Sequence, residues 1–222
     1  MYARTRRSFF WTGMKKDILT FVAEYNVCQH HKGETVKALG TFPASIWTEV
    51  SMDFITGLPK SGNKSVIMVV VDRLSKYAHF CALPHPFTPT LVAQSFMDQI
   101  FKLHGMPTSV VSDRDPIFTS NFWQELLRLQ GTQLKLSTSY HHQIDGQTEA
   151  VNKCLETYLR CFTSKKQHLW VQWLPLAKWW YNANDHAITK MTPYQAAYGQ
   201  LPPSPTSYIK GCSKVQVVDQ IL

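Results

Sequence analysis

The spacing of apolar positions changes character along the chain, and each change marks a different kind of element. Over residues 1–37, behind a basic start, Phe9, Phe10, Trp11 and Met14, then Ile18, Phe21 and Val22, recur at helical spacing; Gly33 closes this piece, and 40–43 reads as a linker. Three apolar runs follow, at 50–58, 65–71 and 77–83. The first is closed by Pro59, Ser61 and Gly62, the second breaks at 72–75, and the third is stopped by Pro84 and Pro86. Runs this short, joined by turns this tight, predict an antiparallel three-stranded meander. Beyond residue 90 the pattern alternates. A helical stripe over 90–104 (Leu91, Val92, Ser95, Phe96, Gln99, Ile100, Leu103) ends at Gly105-Met106-Pro107. Next come a short strand at 109–112, a helix at 120–130 with Ser120 as N-cap and Gly131 just past its end, and a short strand at 132–136. A polar stretch runs over 137–145, and Gly146 is expected to open a long helix into the 160s. A helix rich in tryptophan (Trp170, Trp173, Trp179, Trp180) and a short one near 192–198, stopped by Gly199 and Pro202-Pro203, complete the pattern.

Three antiparallel strands followed by strand–helix alternation define an α/β layout. The expected sheet is mixed, with three antiparallel and then two parallel strands, flanked by helices and preceded by a small helical extension. This is the element order of ribonuclease H-like folds, and order alone does not fix an activity. Composition narrows the field. In 222 residues, 44% hydrophobic and 13% aromatic content supports a sizeable core and excludes disorder over most of the length. A formal charge of +8 points to an anionic partner, nucleic acid first, against the plainer reading of a mildly basic soluble domain. Five cysteines, odd in number and irregular in spacing, read as free thiols, with Cys154 and Cys161 as packing residues. The start, Met1-Tyr2-Ala3-Arg4, lacks the apolar stretch of a signal peptide, so an intracellular protein is expected. The longest apolar run, 66–71, is far too short to span a bilayer, and no membrane association is expected.

Candidate chemistry lies in the carboxylates. Cleaving or joining phosphodiesters requires charge neutralisation at both the attacking and the leaving oxygen, which two divalent cations about 3.5–4 Å apart accomplish. Such cations take oxygen ligands, so two or three acidic residues at the ends of core elements are the pattern to seek. Asp53 interrupts the first apolar strand, Asp113 stands where Val110-Val111-Ser112 ends, and Glu149 lies at the start of the long helix. The gaps between them hold 59 and 35 residues. Asp72 and Asp115 are better explained as turn residues, and Asp145, before Gly146, as shaping the turn into the helix.

The blocks around these residues resemble the integrases of gypsy-class long-terminal-repeat retrotransposons. They are Met52-Asp53-Phe54-Ile55-Thr56-Gly57-Leu58-Pro59, Val71-Asp72-Arg73-Leu74-Ser75-Lys76, His104-Gly105-Met106-Pro107, Ser112-Asp113-Arg114-Asp115, Asp145-Gly146-Gln147-Thr148-Glu149 and Met191-Thr192-Pro193-Tyr194. The likeness runs over nearly the whole chain. It implies a ribonuclease H-like catalytic core over 38–205, a remnant of the family's zinc-binding domain over 1–37 and a truncated tail over 206–222. It implies DNA 3′-end processing and strand transfer, with Asp53, Asp113 and Glu149 as catalytic residues holding two Mg2+ (or Mn2+) ions. DNA, both element ends and target, and further copies of the chain are the implied partners, and the nucleus the implied place of action. Gln147, Asn152, Lys153 and His141 are the expected DNA contacts; Asn152 and Lys153 follow Glu149 by three and four residues and so share its helix face.

The chain departs from the family pattern in two places. His142 and Ile144 stand where Pro and Thr are usual. Of the zinc-binding set, Tyr25-Asn26-Val27-Cys28 replaces the second Cys-x-x-Cys pair, the upstream His pair is missing, and His30 and His31 give poor tetrahedral spacing, so no zinc is expected. The early stop suggests a fragment or relict reading frame. Two alternatives to an active enzyme follow: a decayed or domesticated module that binds DNA or dimerises, and a metal-dependent nuclease of the same superfold.

Overall fold

A computed structural model describes residues 10–24, 45–137, 142–163, 166–186 and 189–203. Five strands form one sheet: β1 (Glu49–Ile55), β2 (Lys64–Asp72), β3 (Ala78–Pro84), β4 (Ser109–Ser112) and β5 (Gln133–Leu136), in the order β3-β2-β1-β4-β5. β1, β2 and β3 pair antiparallel, while β4 and β5 run parallel to β1. The expected sheet is therefore present, with strand ends within a few residues of the apolar runs.

The helices are α1 (Met14–Glu24), α3 (Asn121–Leu129), α4 (His142–Thr163), α5 (Trp170–Ala183) and α6 (Pro193–Tyr198); α2 is a composite of Pro89–Phe96, a π-helical turn Met97–Phe101 and Lys102–His104. α2 and α3 cover one face of the sheet, α4 and α5 the other. β2 is buried from Val66 to Val71 without alternation because each face meets its own core. Val66, Met68 and Val70 pack with Phe96, Ile100, Trp123 and Leu127 of α2 and α3. Ile67, Val69 and Val71 pack with Leu155 and Tyr158 of α4 and with Trp170 and Leu174 of α5.

Local chemistry sets the helix ends. Thr88, Ser120 and Thr192 each accept a hydrogen bond from a backbone N–H in the following turn, and Ser120 is the N-cap expected from the sequence. Gly131 adopts a left-handed φ of 71°, just past α3. Two expectations need correction. Leu91, Gln99 and Leu103, expected on the inward stripe of α2, are exposed; the buried positions are Val92, Ala93, Phe96 and Ile100. Leu91 lies in the first turn, at the margin of the buried face. The π turn adds a residue to one turn of the helix, so a strict 3.6-residue period fails at Gln99 and beyond it at Leu103. The long helix was expected to open at Gly146 but begins at His142, leaving Asp145 and Gly146 inside it and Glu149 two turns from its start. One interior glycine costs about 1 kcal/mol relative to alanine. A helix of 22 residues anchored by buried Val151, Leu155, Tyr158 and Leu159 absorbs that.

The outer margin of β3 is closed by side chains. Asn182 of α5 accepts from the Ala78 N–H and donates to the Ala78 carbonyl, both at 2.9 Å, as a neighbouring strand would. Lys178, one turn earlier, reaches Nδ1 of His79 at 2.7 Å, and Nε2 of His79 lies 2.9 Å from Nε2 of His104 at the end of α2. The Trp47 indole stacks on His104 at 3.8 Å. Burial, with the nearby Lys178 charge second, pushes the His79 imidazole down to about 3 and that of His104 to about 4.

Candidate active site

β1 and β4 are neighbouring parallel strands whose last paired residues are Met52 and Ser112. The next residue on each chain is a carboxylate: Asp53 on β1 and Asp113 immediately after β4. Strands in a sheet lie about 4.8 Å apart, so the register sets two acidic residues side by side at one end of the sheet. Side chains alternate along a strand. Met52 enters the α2–α3 core, which turns Asp53 toward the face covered by α4.

The α4 helix meets it there. Nδ2 of Asn152 donates to Oδ2 of Asp53 at 2.7 Å, while Oδ1 of Asp53 accepts from the Phe54 N–H at 2.7 Å. Thr148 and Val151 are buried on the same side of the helix. Glu149, one turn before Asn152, is exposed, as is Lys153. Oγ1 of Thr148 and Oδ1 of Asn152 are buried without a hydrogen-bond partner. Asn152, one of the expected DNA contacts, is half-buried with its amide engaged by Asp53, because the 3.6-residue period carries it round toward β1 while leaving Lys153 outside. His141 lies outside the described residues, as do Cys28, His30 and His31; of Gln147, the helical backbone alone is described.

The other acidic residues near the site have structural partners. Asp72, fully buried, accepts from the Trp47 N–H at 2.8 Å and the Ser75 N–H at 2.7 Å, and also bonds the Ser75 hydroxyl. It is the turn residue anticipated. Asp115 accepts from the Ile117 N–H at 2.8 Å and donates its own N–H to Oδ1 of Asp113 at 3.1 Å, which orders the turn after β4. Glu49, at the far end of β1, pairs with Lys135 at 2.9 Å and Arg73 at 3.0 Å, and the Lys135 hydrogen bond holds its carboxyl below the usual range.

Asp53 and Asp113 are thus brought together, with Glu149 on the adjoining helix. Among the described residues, no three His, Cys, Asp or Glu side chains are gathered closely enough to enclose an ion. The donor set still fits a hard divalent cation, since all three groups are carboxylates and Asp53 and Asp113 are adjacent by register. Sequence reasoning missed the inward role of Asn152 and the burial of Thr148. The signal was present, because Thr148 and Asn152 are four residues apart and share a helix face.

The mixed five-stranded sheet, with an acidic pair at the ends of two neighbouring parallel strands, defines a ribonuclease H-like α/β core. Residues 43–142 match the family model described as integrase core domain, and residues 1–34 match that described as integrase zinc binding domain. The structure resembles the simian T-cell lymphotropic virus intasome in complex with PP2A regulatory subunit B56 gamma, at a TM-score of 0.63 and 19% identity over 96% of this chain and 76% of that one. It also resembles the HTLV-2 integrase catalytic core domain in complex with magnesium, at 0.57 and 19% over 72% of this chain and 100% of that one. In sequence, the chain is 35% identical over 201 residues to the Tf2-3 and Tf2-4 transposon polyproteins of Schizosaccharomyces pombe (strain 972 / ATCC 24843). These alignments cover 88% of this chain and 15% of each polyprotein. The chain thus carries an integrase core domain. The polyproteins it resembles belong to Ty3/gypsy-like long-terminal-repeat retrotransposons. Among the described residues, no helix is long and apolar enough to cross a membrane.

Proposed function

We propose that the chain catalyses metal-dependent DNA 3′-end processing and strand transfer, with Asp53, Asp113 and Glu149 as the carboxylates that hold two Mg2+ (or Mn2+) ions. The register that aligns Asp53 with Asp113 beside α4 carries this reading. Bound divalent cations supply charge neutralisation at the attacking and leaving oxygens and ease deprotonation of the nucleophile. The chain's own groups set the geometry. Rigid strands fix the two aspartates, while Glu149 projects from a helix anchored through Val151 and Leu155. Water is the nucleophile when a 3′ end is trimmed; the freed 3′-hydroxyl then attacks a target phosphodiester, one P–O bond forming as another breaks.

DNA is the substrate in this reading, and Lys153, exposed one turn beyond Glu149, is the backbone contact with the best support. Gln147 and His141 are further proposed contacts. The division into a zinc-binding-domain segment over 1–37, a core over 38–205 and a further segment over 206–222 is part of the same proposal, as are assembly as a homo-oligomer, action in the nucleus and the absence of bound zinc. A catalytically decayed DNA-binding module is the competing reading, favoured by the exposed, ungathered Glu149.

Cleavage and joining of labelled branched DNA with Mg2+ or Mn2+, in wild type and Asp113→Asn, decides between them. Products lost in the variant are expected. A folded wild type that binds DNA and forms none would establish the binding module.

A further inference from the structure

Resting on the carboxylate assignment above, we infer that Asn152 is a positioning residue for the reaction: its amide clamps Asp53 and sets α4, with Glu149 one turn earlier, against the Asp53–Asp113 pair. The 2.7 Å bond from Nδ2 to Oδ2 of Asp53 is a charge-assisted contact between a helix and a strand. The other half of the same amide argues for purpose. Oδ1 of Asn152 is buried with no partner, and Oγ1 of Thr148, four residues earlier on the same face, is likewise orphaned. A half-satisfied polar group inside a protein is worse for stability than an apolar one of similar shape, so a leucine would serve α4 packing better. What asparagine adds is a donor aimed at one carboxylate oxygen. With Oδ2 engaged by Asn152 and Oδ1 by the Phe54 N–H, the rotamer of Asp53 is fixed from two directions.

Fixing Asp53 also fixes the helix. Asn152 and Glu149 are three residues apart, so a clamp at one holds the other's azimuth around α4. Partners of this kind orient the groups that contact an ion, and losing one typically weakens metal affinity 10–100-fold. A DNA contact, the alternative role for Asn152, requires the side chain to face outward, and the neighbour that does so is Lys153.

The test uses the full chain with Mn2+ alone as probe. Calorimetry gives Mn2+ affinity, duplex binding in EDTA gives metal-free DNA affinity, and turnover on branched DNA is split into kcat and KM. Asn152→Leu is expected to bind Mn2+ 10–100-fold more weakly and to lose kcat in proportion. Its KM and its EDTA-state DNA affinity should stay at the wild-type level, and its melting temperature at or above it. Asn152→Gln, which keeps the donor on a longer arm, should recover part of the Mn2+ affinity. Lys153→Ala should show the reverse split, weaker on DNA and unchanged on Mn2+. Should Asn152→Leu fail to fold, Asn152→Ser is read by the same criteria. Wild-type Mn2+ affinity in Asn152→Leu, or a defect confined to DNA affinity, overturns the positioning role alone. Equal Mn2+ binding by wild type and Asp53→Asn overturns the carboxylate assignment and the positioning role with it.

Discussion

Lys178 on α5 and His79 on β3 are joined side chain to side chain at 2.7 Å, across the margin of the sheet, with His79 almost wholly buried. An ammonium donating to Nδ1 requires that nitrogen to be unprotonated, so His79 carries its proton on Nε2 and passes a hydrogen bond on to His104. Three elements are tied together by one directional chain.

Stability should therefore depend on pH below neutrality. His79 is held down to about 3 when folded, against an ordinary value near 6.5, so the unfolded chain binds the extra proton more readily. The contribution is fully present above about pH 6.5 and is lost as pH falls from there toward the folded value. His104, less buried, adds a smaller share in the same direction. Urea midpoints should fall between pH 7 and pH 5, with a slope for His79 approaching about 1.4 kcal/mol per pH unit. His79→Gln should flatten that slope; an unchanged slope would place the titrating groups elsewhere.

Asp72 and Asp113 should separate stability from activity. Asp72→Ala leaves the Trp47 and Ser75 N–H groups without an acceptor in a fully buried site and should cost about 3 kcal/mol or more. Asp113→Asn, which keeps one acceptor for the Asp115 N–H, should melt within about 0.5 kcal/mol of wild type. Strand-transfer product from it should fall by about a hundredfold or more. Chemical denaturation and the branched-DNA assay, run on both variants, check the pair of expectations.

Asn182→Ala should destabilise by about 2–4 kcal/mol, because the outward N–H and C=O of Ala78 lose their partners in a site only 2% exposed. Amide exchange at Ala78 should rise well beyond the change in global stability. Unaltered protection at Ala78 would count against the strand-like role of this amide.

Gly146→Ala should stabilise the protein by about 0.5–1 kcal/mol, since Gly146 stands inside α4. A loop conformation with positive φ at this position would give the opposite sign, so a thermal melt tests where the helix begins.

Strands were the most legible part of the sequence. The unbroken run 66–71 and the Pro and Gly stops around it reflect burial on two faces and turn chemistry, both local properties. Asp53 and Asp113 were legible for the same reason: an acid inside or at the end of an apolar strand violates the local pattern. The start of α4 was not, because Gly146 signals a boundary locally while the anchoring of the helix comes from Leu155 and Tyr158, further along. Periodicity placed Asn152 beside Glu149 but could not choose between solvent and β1, which is a tertiary fact. The His79–His104 and Lys178–His79 contacts join residues 25 and 99 positions apart, beyond the reach of any local reading.

The π turn of α2 has a consequence for how this sequence can drift. A one-residue insertion or deletion in an α-helix rotates everything beyond it by about 100°. Here a surplus residue is already accommodated within Met97–Phe101, and His104 reaches Trp47 only from beyond it. Losing one residue there would mend the helix while swinging His104 off the indole. The length of this segment is therefore under constraint even at its exposed positions, such as Asp98 and Gln99, where substitution should be free. Descendant copies should vary in the letters of this turn long before they vary in its count.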